Sequence, residues 1–351
     1  MRTIRLNQII LLLFLIPGIV FAHGVKKGKY TREKKISRAF AVNTTAGLTV
    51  SNKYGNIYIT TWDEDKTAID VVITVNGNDE DDVVKRINGI DVDFNATAAL
   101  VGAKTIIENS RGRNINMEIN YTIKIPKRGT LGLANQYGGI KLGVINGGVN
   151  INCQYGSLDI ESLNSENNNI ILQYCDNSKL GYIKGGTINA QYSGVNISRA
   201  DKITAKCEYT GLKIGDAKSI TYRAEYGDVT IGTAETVTGA GDYLNVRVNT
   251  VESQINLSGD YSNFKFGLAN TVKNTVVNGD YTNTDIKYNT GYAFNFEFDL
   301  EYGNVKGMNG FQFTEKRVKD FNSYYKGYYK SNGSNKIFFS SDYGNLTLIQ
   351  Q

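Results

Sequence analysis

The tetrapeptide Asn135-Gln136-Tyr137-Gly138 returns along the chain as Cys153-Gln154-Tyr155-Gly156, Ala190-Gln191-Tyr192-Ser193, Cys207-Glu208-Tyr209-Thr210, Ala224-Glu225-Tyr226-Gly227 and Gly259-Asp260-Tyr261-Ser262. Alternating apolar residues follow each copy. Self-similarity of this kind identifies a repeat architecture, in which each unit is stabilised mainly by its neighbours. The repeated stretch, residues 132–267, therefore decides the fold.

The repeated tyrosines set the length of one unit. Successive members lie 17 to 21 residues apart. They are Tyr137, Tyr155, Tyr174, Tyr192, Tyr209, Tyr226, Tyr243, Tyr261, Tyr281 and Tyr302. Tyr343 lies 41 residues after Tyr302, which predicts two further units with Tyr324 as the intermediate tyrosine. The period is too short for helical hairpin repeats and no leucine-rich consensus is present, so one unit is predicted to be one coil of a β-solenoid.

Apolar residues occupy fixed positions around each tyrosine. Aliphatic or small residues stand six, four and two residues before it, and aliphatic residues stand three and five residues after it, as Ile140 and Leu142 do after Tyr137. Spacing of two predicts strands with one face inward and a corner just after the tyrosine. The same parity predicts that the tyrosine ring points into the core, where replacing Tyr209 with alanine would cost about 3 to 5 kcal/mol.

The N-terminal 22 residues have the features of a cleaved secretory signal peptide. Arg2 and Arg5 precede an apolar run at residues 9–16, and small residues lie near Ala22. An uncleaved anchor is the alternative, and no cysteine is placed for lipoprotein acylation. We therefore expect an exported protein, periplasmic or on the cell surface and not a lipoprotein, that meets the membrane only through the removed signal peptide. The formal charge of +5, or +3 without the two arginines, is too small to predict nucleic-acid binding.

Four segments follow from these patterns. They are a signal peptide at residues 1–22, a basic and loosely ordered leader at 23–39, a β-rich N-terminal section at 40–130, and a β-solenoid array at 131–351 with an aromatic C-terminal cap. The leader could instead be attracted to anionic lipid or polysaccharide. The only helix predicted covers residues 79–87, where the first turn is acidic and the last turn basic. The abundance of Tyr, Phe and Gly, with only 2 Pro, agrees with the predicted all-β class.

A family resemblance covers about residues 40–350. The passage Tyr121-Thr122-Ile123-Lys124-Ile125-Pro126, followed by Leu131-Gly132-Leu133 and Tyr137-Gly138-Gly139-Ile140-Lys141-Leu142, resembles the putative-adhesin family of bacterial surface proteins common in Bacteroidetes. The strand at Trp62-Asp63 and the helix at residues 79–87 are similar to that family's N-terminal section. The resemblance implies a secreted, single-chain β-solenoid, and no catalytic residues come with it.

The residue before each tyrosine forms a row that changes from glutamine to carboxylate along the chain. Its members are Gln136, Gln154, Gln173, Gln191, Glu208, Glu225, Asp242, Asp260, Asp280, Glu301 and Asp342. Stacked glutamines predict an amide ladder. Carboxylates about 4.8 Å apart repel each other and need compensation, either from nearby lysines and arginines or from calcium. A calcium row would use Glu208, Glu225, Asp242, Asp260 and Asp280, and calcium is the only cofactor that the sequence suggests.

A second candidate site is the aromatic run Tyr324-Tyr325-Lys326-Gly327-Tyr328-Tyr329-Lys330. Bulky rings here could cap the open end of the solenoid. Alternatively, Tyr325, Tyr328 and Tyr329 could bind a ligand, by stacking on the sugar rings of a glycan or by docking a surface protein.

Three cysteines are predicted to be free thiols. Cys153 and Cys207 share one ladder position three coils apart, a separation of about 14 Å that no disulfide spans. Cys175 falls on the opposite parity from Cys153.

The leading functional hypothesis is a non-enzymatic exported protein for adhesion or envelope organisation. The alternative is a polysaccharide-active hydrolase or lyase that uses the solenoid face. A glycosidase needs two carboxylates of separated acidity in a cleft, and an evenly repeated row does not resemble that arrangement.

Overall fold

A computed structural model describes residues 28–108 and 114–351. The predicted signal peptide and residues 23–27 of the predicted leader lie outside the described residues. The described chain forms 26 strands and one short helix in a solenoid-like arrangement, so the predicted all-β fold class is confirmed.

The strands and the helix follow one another as β1 (Tyr30–Ala41), β2 (Gly47–Lys53), β3 (Ile57–Trp62), β4 (Lys66–Gly77), α1 (Glu80–Asn88), β5 (Ile90–Ala96), β6 (Leu100–Ile107), β7 (Asn116–Pro126), β8 (Leu131–Gln136), β9 (Ile140–Ile145), β10 (Val149–Gln154), β11 (Leu158–Leu163), β12 (Asn168–Gln173), β13 (Ser178–Gln191), β14 (Gly194–Glu208), β15 (Gly211–Glu225), β16 (Gly227–Ala240) and β17 (Leu244–Ser258). The remaining strands are β18 (Asn263–Leu268), β19 (Asn274–Asn278), β20 (Asn283–Tyr288), β21 (Phe294–Glu301), β22 (Val305–Lys306), β23 (Phe311–Lys319), β24 (Asn322–Tyr329), β25 (Lys336–Asp342) and β26 (Leu346–Gln350).

Each coil consists of two strands joined at its tyrosine. We call the layer of strands before the tyrosines face A and the layer after them face B. Equivalent strands pair in parallel and in register, so Ile151 of β10 lies beside Ile170 of β12, which lies beside Ile188 of β13. From β13 to β17 the face B strand of one coil runs on into the face A strand of the next, which gives these elements 14 or 15 residues.

The core lies between the two faces. The aliphatic residues at the predicted offsets are buried, among them Leu133, Ile140, Ile151 and Leu158, each at most 3% exposed. They belong to one continuous hydrophobic cluster. At about 1.5 to 3 kcal/mol for each fully buried aliphatic side chain, these ladders supply the main driving force that holds successive coils together.

The first coil lies within the predicted β-rich N-terminal section. Strands β2 and β3 flank Tyr54 and pair with β8 and β9 of the next coil. The chain between these two coils, together with β1 before them, caps the N-terminal end: β6 and then β5 extend face A, while β7, β4 and β1 extend face B. Helix α1 agrees with the prediction, and its N-cap Asp79 accepts a hydrogen bond from the backbone N–H of Asp82 at 3.0 Å.

The loosely ordered leader predicted at residues 23–39 is wrong for residues 30–39. They lie in β1, which pairs antiparallel with β4 along its whole length, from Tyr30 beside Gly77 to Ala41 beside Lys66. Ile36 is buried, and most of the charged side chains of β1 remain exposed. The basic composition therefore describes the solvent face of a strand rather than an unpaired segment.

The last coils do not stack in the order of the sequence. Strands β25 and β26 insert between the coil of β19 and β20 and the coil of β21 and β22. The tyrosine predicted for an intermediate unit, Tyr324, instead lies in β24, which forms an antiparallel hairpin with β23 and also pairs antiparallel with β21. Rings from these strands pack together at this end, including Phe294 and Phe311 with centroids 5.7 Å apart.

Candidate functional site

The repeated tyrosines lie on the surface, which corrects the prediction that their rings point inward. Each side chain is 39% to 52% exposed. The backbone explains the error, because every one of these tyrosines has a left-handed φ, between 49° and 62°. A left-handed residue interrupts the alternation of a strand, so the ring turns outward at the corner while the aliphatic residues on either side stay inside.

The exposed rings stack into one continuous column, which we call the tyrosine column. In spatial order it contains Tyr54, Tyr137, Tyr155, Tyr174, Tyr192, Tyr209, Tyr226, Tyr243, Tyr261, Tyr281, Tyr343 and Tyr302. Neighbouring centroids are 4.6 to 5.2 Å apart and the planes differ by at most 14°. Phe321 stacks on Tyr302 at 4.6 Å and closes one end.

The stacking decides what the column can offer to a ligand. Both faces of each internal ring are covered by its neighbours, so the surface displays ring edges and hydroxyl groups. Sugar rings bind aromatic residues through the ring face, and that contact is available only where the column ends. The internal rings therefore suit a partner that contacts edges and hydroxyls at a regular spacing of about 4.8 Å, the ordinary separation of strands.

The row before the tyrosines runs beside the column, and its first half forms the predicted amide ladder. We call this the flanking row and include Lys53, which precedes Tyr54. Gln136 donates to Gln154 at 3.3 Å, and Gln154 donates to Gln173 at 2.8 Å. Gln173 then donates to Gln191 at 3.4 Å, and Gln191 donates to the Glu208 carboxylate at 2.9 Å. The ladder therefore ends where the carboxylates begin.

The carboxylates have partners within the chain. Lys206 lies 3.4 Å from Glu208, and Arg223 lies 4.0 Å from Glu225. Asp242, Asp260 and Asp280 are compensated differently, because each accepts a backbone N–H from the next coil. Asp242 accepts from Asp260 at 2.9 Å, and Asp260 accepts from Asp280 at 2.9 Å.

The calcium row proposed at Glu208, Glu225, Asp242, Asp260 and Asp280 stays a prediction. Within residues 28–108 and 114–351, no three His, Cys, Asp or Glu side chains are grouped in a way that could hold a metal ion. The carboxylates are spread along the axis, one per coil, so a cation here would bridge two neighbouring coils.

The column raises the pKa of several of its own tyrosines. For Tyr209 the main cause is loss of solvent around the phenol, followed by the neighbouring Tyr226 and Tyr192 and by the carboxylates of Glu225 and Glu208. The pKa values of Tyr261 and Tyr343 rise for the same kinds of reason. These phenols therefore stay protonated, as hydrogen-bond donors, at higher pH than a free tyrosine.

The second candidate site is divided by the structure. Tyr329 is only 6% exposed and packs in the core of the C-terminal end, where its hydroxyl accepts from the Gln350 amide at 3.1 Å. A ligand-stacking role for Tyr329 is therefore wrong, because its ring is covered. Tyr325 and Tyr328 are half-buried, so a ligand contact stays a prediction for these two residues.

A shallow groove crosses face B, and the sequence analysis missed it. It has a volume of about 600 Å³ and is lined by Tyr58, Lys141, Asp159 and Lys179, among others. Lys141 pairs with Asp159 at 2.8 Å. The sequence does not mark this place, because glycine also stands at the equivalent position of coils outside the groove, as Gly215 and Gly232 do.

The three cysteines are free and buried, which confirms the predicted thiols. Burial raises the pKa of Cys207 to about 12. Cys175 also points inward, despite its predicted opposite parity, and its thiol donates to the carbonyl of Cys153 at 3.2 Å. The left-handed Tyr174 just before it shifts the parity of everything that follows.

Comparison with known proteins gives resemblances to solved structures only. No protein-family model matches the chain, and no curated protein matches it. The chain is similar to a putative cell adhesion protein from Clostridium sporogenes, at 11% identity over 91% of this chain and 100% of the other, with a TM-score of 0.18. It is similar to a putative adhesin from Parabacteroides merdae, at 8% identity over 92% and 98%, with a TM-score of 0.28. It is also similar to a putative lipid binding protein from Parabacteroides distasonis, at 9% identity over 90% and 96%, with a TM-score of 0.33.

The resemblance to putative adhesins noted from the sequence thus recurs among solved structures. The fold itself is taken from the strands described above. Among the described residues, no helix has the length and apolar character needed to cross a bilayer.

Proposed function

We propose that this chain is an exported, non-catalytic binding protein that acts in the periplasm or at the cell surface through the tyrosine column. The observation that carries the proposal is the column itself, twelve stacked and half-exposed rings along one edge of the solenoid. Exposed aromatic rows on a rigid scaffold mark binding surfaces, because tyrosine combines apolar area with a hydroxyl and loses little conformational entropy on binding.

The backbone supports a binding role for these residues. A left-handed conformation costs a non-glycine residue roughly 1 to 2 kcal/mol, and asparagine or glycine would occupy these corners with less strain. The chain instead holds tyrosine in that conformation in every coil. The regular outward display of the ring and its hydroxyl accounts for this choice.

A binding assay with substitutions in the column tests the proposal. Tyr192, Tyr209 and Tyr226 are changed together to asparagine, which tolerates the left-handed corner but removes the rings. The purified proteins are then measured for binding to bacterial cells, to cell-envelope polysaccharides and to glycan arrays. We expect at least about a tenfold weaker binding for the asparagine variant and a smaller loss when the same residues are changed to phenylalanine, which keeps the stack but removes the hydroxyls.

Two comparisons make the result decisive. Changing Tyr325 and Tyr328 to serine alters the C-terminal aromatic surface and leaves the column intact. If the asparagine variant folds and binds as the native chain does, the column is not the binding surface. If the serine variant alone loses binding, the ligand contacts the C-terminal hairpin.

A further inference from the structure

We propose that the tyrosine column binds the tyrosine column of a second copy of this chain, with the two solenoids antiparallel. The inference rests on the proposed function, because both use the column as the binding surface. It names the partner that the spacing and the charges of that surface fit best.

The spacing of the column favours a partner with the same repeat. Rings recur at every coil, with centroids 4.6 to 5.2 Å apart. A surface that contacts each ring in the same way must repeat at the same interval, and a second solenoid does so by construction. Half of a tyrosine side chain is roughly 100 Å², so twelve rings offer on the order of 1,200 Å² on each copy, above the roughly 800 Å² per partner of a standard interface.

The flanking row is polarised from one end of the solenoid to the other. Its order along the axis is Lys53, Gln136, Gln154, Gln173, Gln191, Glu208, Glu225, Asp242, Asp260, Asp280, Asp342 and Glu301. The first five positions thus carry a cation or amides, and the last seven carry carboxylates.

A two-fold axis perpendicular to the solenoid axis places the flanking row of one copy beside the flanking row of the other, with the two rows running in opposite directions. At full overlap, Lys53 of one copy faces Glu301 of the other. The four glutamines then face aspartates, in the pairs Gln136 with Asp342, Gln154 with Asp280, Gln173 with Asp260 and Gln191 with Asp242. An isologous interface repeats each of these contacts twice. Every donor in one half therefore meets an acceptor in the other.

The centre of the row is the one place where like charges meet, because Glu208 there faces Glu225. The structure places two cations beside this point, since Lys206 and Arg223 accompany these glutamates on face A. In the antiparallel arrangement, Lys206 of one copy also lies beside Glu225 of the other. The equivalent positions of the neighbouring coils carry Asn189 and Ala240, so the basic residues are confined to the centre.

The other side of the column complements itself in the same arrangement. Six pairs of residues at the start of face B are opposed in this arrangement, and in four of them a small residue meets a larger one: Gly139 with Asn345, Ser157 with Asn283, Gly194 with Asn245 and Gly211 with Asp228. The other two pairs, Asn56 with Asn304 and Asn177 with Asn263, set one amide against another. A parallel pairing would instead place the face B side of one column against the flanking row of the other. Both the charge match of the flanking rows and the size match on the face B side would then be lost.

A charge-exchange experiment tests the arrangement. The native chain and its variants are examined by sedimentation velocity across the micromolar range. The native chain is expected to form dimers. Gln154→Glu places a carboxylate opposite Asp280 of the second copy and should weaken dimerisation about tenfold or more. Adding Asp280→Asn should restore it. The control adds Asp242→Asn to Gln154→Glu and should restore nothing, because Asp242 faces Gln191.

The compensation is informative because Gln154 and Asp280 lie seven coils apart in one chain, roughly 34 Å. Asp280→Asn therefore cannot repair the amide ladder that Gln154→Glu disturbs, and both double variants carry that same local defect. A native chain that stays monomeric overturns the proposal. Equal dimerisation by Gln154→Glu and the native chain, or equal rescue by the two aspartate substitutions, overturns the antiparallel register. Tyrosine-dependent binding to cells by a monomeric native chain would leave the proposed function standing without self-pairing.

Discussion

Replacing Tyr209 with alanine tests whether the tyrosine column stabilises the solenoid as an exposed stack or as part of the core. Tyr209 is 50% exposed and stacks on Tyr192 and on Tyr226 at 4.9 Å, with planes 1° and 2° apart. Each stacked pair contributes about 0.5 to 1.5 kcal/mol, so losing both should lower the free energy of unfolding by about 1 to 3 kcal/mol.

Two matched variants separate the possible causes. Tyr209→Gly loses the same stacking but relieves the left-handed strain at φ 49°, so we expect it to be more stable than Tyr209→Ala by about 1 kcal/mol. Tyr222 lies on face A in the neighbouring coil and is 3% exposed. Tyr222→Ala leaves a cavity in the core and should cost about 3 to 5 kcal/mol.

Urea unfolding followed by circular dichroism measures all three variants, provided that the slope with denaturant concentration stays constant. The expected order of stability is native, Tyr209→Gly, Tyr209→Ala and Tyr222→Ala. A loss for Tyr209→Ala as large as that for Tyr222→Ala would refute the exposed stack. A glycine variant less stable than the alanine variant would refute the strain at the corner.

Three further predictions concern pH, calcium and the thiols. The raised pKa values of Tyr209, Tyr261 and Tyr343 mean that the folded chain keeps protons that the unfolded chain loses near pH 10. Their contribution to stability is therefore complete below pH 10 and falls as the pH rises further, and the urea midpoint and the tyrosinate absorbance should show both effects. If the carboxylates of the flanking row bind calcium, calcium should raise the melting temperature and EDTA lower it, whereas identical curves would contradict the calcium row. Cys207 should resist alkylation at neutral pH while the chain is folded, and mass spectrometry after denaturation should find three alkylated cysteines; fewer would indicate a disulfide.

Local spacing was enough to predict the coils but not the orientation of their corners. The alternation around Ile151 and Leu158 predicts buried strands, and both residues are buried. Apolar residues stand at even offsets before each tyrosine and at odd offsets after it. That change of parity requires one residue to break the alternation, and the φ values identify the tyrosine as that residue. The shift in parity alone leaves the direction of the ring open, because the offsets before the tyrosine place it inward and those after it place it outward.

Long-range pairing accounts for the parts that spacing could not predict. Residues 30–39 carry many charges and one buried aliphatic residue, Ile36, so their sequence alone does not reveal that β4 supplies a partner along the whole strand. Likewise, the number of residues from Tyr302 to Tyr343 fits two consecutive coils. It fits equally well a hairpin followed by one coil that pairs back into the stack. Only the pairing of β25 with both β19 and β21 distinguishes the two.

The inserted coil has a consequence for how the array is completed during synthesis. Residues 294–306 emerge before residues 336–350, yet they lie farther out in the stack. Until β25 and β26 are made, the outer coil has no parallel neighbour on which to dock, and β19 and β20 keep open edges. Exposed edges of this kind can recruit strands from other chains. The array therefore closes in a single late step, in which one coil enters between two others and removes both sets of unpaired edges together.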